Sequence, residues 1–223
     1  MSPKKALVLG TLLLVPVLVF LFLSMFGENK FSLRTYYPLR VDSTAVQGVW
    51  QYDTAYHKVP AFQLTSQTGK TFSSQDLQGT IYVAHFLSST CVEPCKQVLT
   101  QLSRVHDAFR FKPEVKILSF THTPSQDAAL QQLSATLKAD ANRWLFLTGS
   151  PDQLQHLAQQ GFRQPTLALV GTQTDAFSSE TLLLIDREGH VRGMYQGTDA
   201  SEVERLITEL NILLSMYEQD HAN

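Results

Sequence analysis

Ala6 to Phe26, "ALVLGTLLLVPVLVFLFLSMF", runs 21 residues without a charge. At roughly 1.5 Å per residue that crosses about 30 Å of hydrocarbon, so the run removes itself from whatever globular fold the rest adopts. Pro16 is tolerable inside such a span. Lys4 and Lys5 precede it, and the excess-positive side stays in the cytoplasm. The expectation is a cytoplasmic N-terminus over residues 1–5, a single-pass anchor over 6–26 in a bacterial inner membrane, and the remaining chain on the periplasmic side. A cleaved signal peptide is the alternative, but its apolar region would be about 7–15 residues followed by a small-residue cleavage site, and "LSMFGENK" matches that poorly. Over the whole chain, 43% hydrophobic and 17% charged residues are an ordinary globular composition. A net charge of -2 with no Lys/Arg cluster excludes nucleic acid as a natural partner.

Residues 27–58 show no sustained period and read as a stalk or arm with little regular structure. Residues 59–219 are expected to form one domain, with 220–223 as a tail. Its pattern alternates: "AFQLTSQTG" is a short strand and turn, "IYVAHFL" (Ile81 to Leu87) a buried strand, and Val98, Leu102, Val105 and Phe109 mark one face of a helix. "VKILSF" and "WLFL" are further strands, while "TPSQ" from Thr123 and "SPDQ" from Ser150 each supply an N-cap hydroxyl, a first-turn proline and a glutamine. "TLLLID", a "REG" turn and "HVRGMYQG" make a hairpin, and "DASE" opens a last helix with Val203, Leu206, Ile207 and Leu210 on one side. The fold class is therefore three-layer α/β with a mixed sheet.

Between the first buried strand and its helix stands "SSTCVEPCKQVLTQL", which holds the only two cysteines, Cys91 and Cys95. Pro94 suits the first helical turn and disfavours helical geometry at Glu93, placing Cys95 in that turn and Cys91 in the loop before it. Helix N-terminal amides stabilise a thiolate by about 0.3–1 kcal/mol. The spacing allows a reversible bridge, while a purely structural staple closing so small a ring gains little. Outside the inner membrane, where cysteines are usually paired, the pair reads as a redox couple, a soft-metal clamp, a staple or two inert thiols. A metal site wants a third donor. Of the seven histidines, His106 and His156 lie on helices, His221 in the tail and His57 in the arm; His85, His122 and His190 flank or occupy strands.

At this point the residues resemble the SCO/SenC family, membrane-anchored thioredoxin-like proteins, over about Tyr56 to Tyr217. "GTIYVAHFLSSTCVEPC" is similar to the family strand and CxxxC loop, "VKILSFTHTPSQD" to its strand and D-P-x-x-D turn, "RWLFLTGSPDQLQHLA" to its W-x-F-L-T-G segment, and "LLLIDREGHVRGMYQGTD" to its closing hairpin. The resemblance implies a thioredoxin-like fold and work on the copper site of a cytochrome oxidase subunit or another exported cysteine protein. The departures are specific. Val92 and Lys96 stand where the family has prolines, Thr123 replaces the acidic residue of the turn although Pro124 and Asp127 remain, and Ser178 occupies the position of the histidine copper ligand. A hydroxyl is a poor Cu(I) donor, so copper at Cys91 and Cys95 is expected to be weakened, whereas thiol–disulfide exchange needs only an accessible thiolate and a resolving partner. Exchange through Cys91 as attacker and Cys95 as resolver leads; Cu(I) delivery through the same sulfurs and a non-catalytic assembly factor with a decayed site are the alternatives.

Overall fold

The computed structural model describes residues 3–26, 32–46, 49–87, 91, 93–123, 128–164 and 180–220. It divides into two units, Met1–Ser32 and Leu33–Asn223. In the first, helix α1 runs Pro3–Phe26 with Pro16 inside it. Among the described residues no helix is long and apolar enough to cross a membrane, so the expected anchor rests on the sequence alone.

The second unit is built on a seven-stranded mixed sheet. β5 (Ile81–Leu87), β6 (Val115–Thr121) and β7 (Trp144–Thr148) are parallel neighbours. β8 (Thr181–Ile185) adds antiparallel to β5 and β9 (Val191–Gln196) antiparallel to β8, while β3 (Gln63–Ser66) and β4 (Thr71–Ser73) close the other side against β7. Parallel strands require crossovers, and these are α2 (Cys95–Ala108) and α3 (Ala128–Thr136). α4 (Pro151–His156), extended by a π-turn to Gly161, and α5 (Ala200–Asp220) complete the unit.

Two apolar layers follow from strand alternation. Ile81, Val83 and Leu87 meet Val98, Leu102, Val105, Val203, Leu206 and Leu210 on the α2/α5 side. Tyr82, Ala84 and Phe86 meet Phe120, Leu154, Leu157 and Phe162 on the α4 side. Every residue of β5 is buried, which is why "IYVAHFL" reads as a continuous apolar run rather than an alternation. The capping signal at Ser150 is realised in full. Its hydroxyl accepts the Gln153 N–H at 3.3 Å, the Gln153 side-chain oxygen accepts the Ser150 N–H at 3.1 Å, and Pro151 occupies the first turn. The matching signal at Thr123 falls on residues 124–127, outside the described residues.

The arm corrects the sequence reading. Instead of little regular structure, residues 27–58 contain an antiparallel hairpin, β1 (Pro38–Val46) and β2 (Val49–Tyr56). The signal was present in Trp50, Tyr52, Thr54 and Tyr56, an alternation of period two, and in Gly48 between the two strands; Arg40, Asp42 and Asp53 on the opposite face obscured it. The segments flanking the hairpin are tied to the domain: the Tyr36 N–H donates to Val191 O at 2.9 Å, and the His57 imidazole lies 2.8 Å from Gly161 O.

Candidate functional site

β5 ends at Leu87 and α2 begins at Cys95, with Pro94 as its N-cap. Cys91 and Cys95 are joined as a disulfide with their α-carbons 5.2 Å apart, within the reach expected from the spacing. The two sulfurs occupy different environments. Cys95 is 4% exposed and packs with Leu87, Val98 and Leu99, whereas Cys91 is half-buried at the edge of that cluster. Pro94 O accepts the N–H groups of Gln97 and Val98 at 3.0 and 3.2 Å, so the first turn of α2 starts directly behind the bridge.

The end of β9 supports this turn from below. The Gln97 amide donates to Thr198 O at 2.9 Å, and the Gly197 N–H donates to Glu180 O at 2.6 Å. A β-carbon at Gly197 would stand 2.9 Å from both Val98 Cγ1 and Glu180 O. Only glycine lets the strand end approach the cysteine helix so closely. Nothing in the sequence motif around the cysteines signals Gly197; its role comes from a contact between segments about a hundred residues apart.

The histidines separate cleanly. His190 forms a bridge with Lys58 after the end of β8. Because β8 runs antiparallel to β5, that position lies beside the start of β5, at the end of the sheet opposite the cysteines. His122 follows β6, whose Thr121 pairs with Leu87, and so shares the cysteine end. His85 is fully buried in mid-β5, opposite Ser119, and alternation puts it on the α2/α5 face with Val83 and Leu87. His106 packs against the Trp144 ring at 5.6 Å. Burial and the nearby Arg143 guanidinium hold its pKa below the ordinary histidine value. His57 pins the arm, His156 is exposed, and His221 lies outside the described residues, as do Ser178, Pro124 and Asp127. Thr123 is buried, its N–H donating to Thr121 Oγ1 at 3.2 Å.

At the opposite end, Asp186, Glu188 and His190 bring potential ligand atoms within 4.8 Å of one another. The Asp186 carboxylate, however, is already taken up by Arg192 at 3.0 Å and by the N–H groups of Glu188 and His190 at 3.1 and 2.8 Å. This is a structural clamp. It borders a cavity of about 250 Å³ lined by Val59, Phe62, Tyr82 and Glu188. Burial, with the Asp186 charge adding to it, keeps the Tyr82 phenol protonated far above its usual range.

A thiol pair at a strand–helix junction, one sulfur reachable and one covered, on a mixed sheet with helices on both faces, can be compared with known proteins. The chain is similar to the SCO1 protein homolog of Bacillus subtilis, with 22% identity over 162 residues, 71% of this chain and 83% of that one. It resembles the crystal structure of a SCO1/SenC family lipoprotein from Bacillus anthracis, with 25% identity, TM-score 0.60, and 70% and 95% of the two chains covered. It also resembles BsSco, described as a member of the Sco family of cytochrome c oxidase assembly proteins with a disulfide switch, at 22% identity, TM-score 0.59, and 70% and 92% coverage. The SCO1/SenC family model matches residues 51–215, most of the chain, and with the thioredoxin-like sheet and the cysteine pair in place the chain belongs to the SCO1/SenC family.

Proposed function

We propose that the chain is a membrane-anchored thiol–disulfide exchange protein acting through Cys91 and Cys95 in the maturation of the copper site of a respiratory oxidase. Residues 6–26 would be its single-pass anchor, with Lys4 and Lys5 on the cytoplasmic side and the thioredoxin-like domain on the periplasmic side. The observation that carries the exchange reading is the asymmetry of the pair: Cys91 half-buried at the rim, Cys95 4% exposed behind it, α-carbons 5.2 Å apart. The helix dipole favours a thiolate at Cys95, but attack on a protein disulfide needs access, and exposure gives that to Cys91.

In the reduced protein the Cys91 thiolate attacks one sulfur of the substrate disulfide, and the other substrate sulfur leaves as a thiolate that takes up a proton. Cys95, losing its proton, then attacks the Cys91 sulfur of the mixed disulfide and releases the second substrate thiol. Two electrons pass to the substrate cysteines and the Cys91–Cys95 bridge remains; an external dithiol reductant returns it to the reduced state.

Alkylation of full-length Cys91→Ser and Cys95→Ser as a function of pH tests this. Cys91 in the Cys95→Ser chain is expected to react faster at neutral pH than a free cysteine, and exchange is lost in both variants; if neither thiol exceeds a free cysteine, the reading fails. The same two sulfurs are soft donors suited to Cu(I), and His122 shares their end of the sheet, so copper carriage is the second reading. Stoichiometric, cysteine-dependent Cu(I) binding in competition with a chelator would favour it, and Ser178→His is then expected to tighten that binding. Retained cellular function in the double serine variant would instead mark a non-catalytic assembly factor.

A further inference from the structure

Among the described residues β1 and β2 pair only with each other, and a lone two-stranded hairpin in water is marginally stable at best. Its register sorts its side chains. Val41 lies opposite Thr54 and Ser43 opposite Tyr52, with Trp50 two residues before Tyr52 in β2, so these five share one face without a charge. Arg40, Asp42 and Asp53 take the other face, where Arg40 and Asp42 form an ion pair at 2.8 Å. Val41, Trp50 and Tyr52 are 60%, 62% and 71% exposed. Tryptophan and tyrosine beside an aliphatic side chain, with no charge among them, is the composition that settles where acyl chains meet headgroups.

The chain leading into the hairpin limits what can cover it. The Arg192 guanidinium donates to Leu33 O at 2.7 Å and to Arg34 O at 3.2 Å, and the Tyr36 N–H is held by Val191 O. The folded domain is therefore fastened from Leu33 onward, and only residues 27–32 lie between it and Phe26, the end of α1. That tether spans at most about 25 Å fully extended. With residues 6–26 in a bilayer, the strap at Leu33 stays within that distance of the membrane surface, and the hairpin begins five residues beyond it.

We propose that the uncharged face of the β1–β2 hairpin rests in the headgroup boundary of the lipid bilayer through Val41, Trp50 and Tyr52, setting the attitude in which the domain presents its cysteine end. The proposal rests on the anchor reading above. A lipid surface fits better than a charged protein partner because the face carries no ionic group and the tether keeps lipid within reach.

The test uses the full chain in phosphatidylcholine vesicles, with or without acyl chains brominated near the headgroup. The chain has two tryptophans, and Trp144 is fully buried, so the difference between the wild type and Trp50→Phe isolates Trp50. Expected are a blue-shifted Trp50 emission, its loss in brominated vesicles, weak quenching by aqueous acrylamide, and reversal of all three in Tyr52→Asp. Full Trp50 emission in brominated vesicles, with the protein still bound after alkaline carbonate washing, overturns the hairpin proposal and leaves the anchor standing. Protection from both bromine and acrylamide also overturns it, in favour of a protein cover such as a second copy. Release of the protein by carbonate defeats the anchor reading and this proposal with it.

Discussion

The two ends of the central sheet are built on opposite terms. At the end where β5 gives way to α2 stand two sulfurs, Cys91 half-buried and Cys95 covered, and among the described residues the contacts around them are apolar packing, backbone hydrogen bonds and the Gln97 amide on Thr198 O. At the end where β8 turns into β9, Asp186 is 1% exposed and its carboxylate is bonded by one guanidinium and two backbone N–H groups. Buried charge is tolerable when fully paired and unreactive for the same reason, which is why the acidic cluster with the better ligand count is the structural one.

The largest expected effect comes from breaking the saturated end. Arg192→Met leaves Asp186 buried without its guanidinium and removes the strap on Leu33 and Arg34. A loss of about 3–5 kcal/mol is expected in denaturant unfolding, together with proteolytic release of the arm, while Cys91 of a folded fraction keeps its alkylation rate. Gly197→Ala attacks the other end by overpacking Val98 and Glu180 O. It is expected to cost about 1–3 kcal/mol and, unlike Arg192→Met, to change the reactivity of the cysteine pair, because Val98 belongs to the first turn of α2. If both variants shift stability and neither shifts thiol reactivity, the contrast between the ends is wrong.

Smaller effects sharpen the picture. Ser150→Ala removes one half of a capping box that follows β7, at the cysteine end of the sheet but two strands away from β5, and is expected to lower stability by about 1 kcal/mol with no change in exchange rate. His106 supplies a pH signature. Its folded pKa lies below its ordinary 6.5, chiefly through burial and also through Arg143, so the unfolded chain protonates first. Its stabilising contribution is complete above pH 6.5 and declines as the pH falls through the folded value. His106→Phe should flatten the fall in melting temperature on the acid side of pH 6.5, and an unchanged slope would assign that fall to carboxylates instead.

Much of this was legible in the chain itself. The strands "IYVAHFL", "VKILSF" and "WLFL" and the cap at Ser150 appear where the sequence puts them, since each is written in local spacing or in a side chain that bonds its own neighbours. The cysteine pair at a strand–helix junction is equally local, because Pro94 and the periodicity after Cys95 define the start of α2. The arm was misread because its alternating aromatics share a short stretch with three charges, and a hairpin without a third layer gives no apolar periodicity strong enough to stand out.

The sequence by itself determined the order of elements, the family pattern and the position of the two sulfurs along the chain, all properties of neighbours within about one helical turn or one strand. Only the tertiary structure decided which sulfur is covered, that His190 belongs to the far end of the sheet and His122 to the near one, and that Gly197 must be small. Each of these depends on which strand lies antiparallel to which and on contacts between residues far apart in the chain, and side-chain spacing carries no record of either.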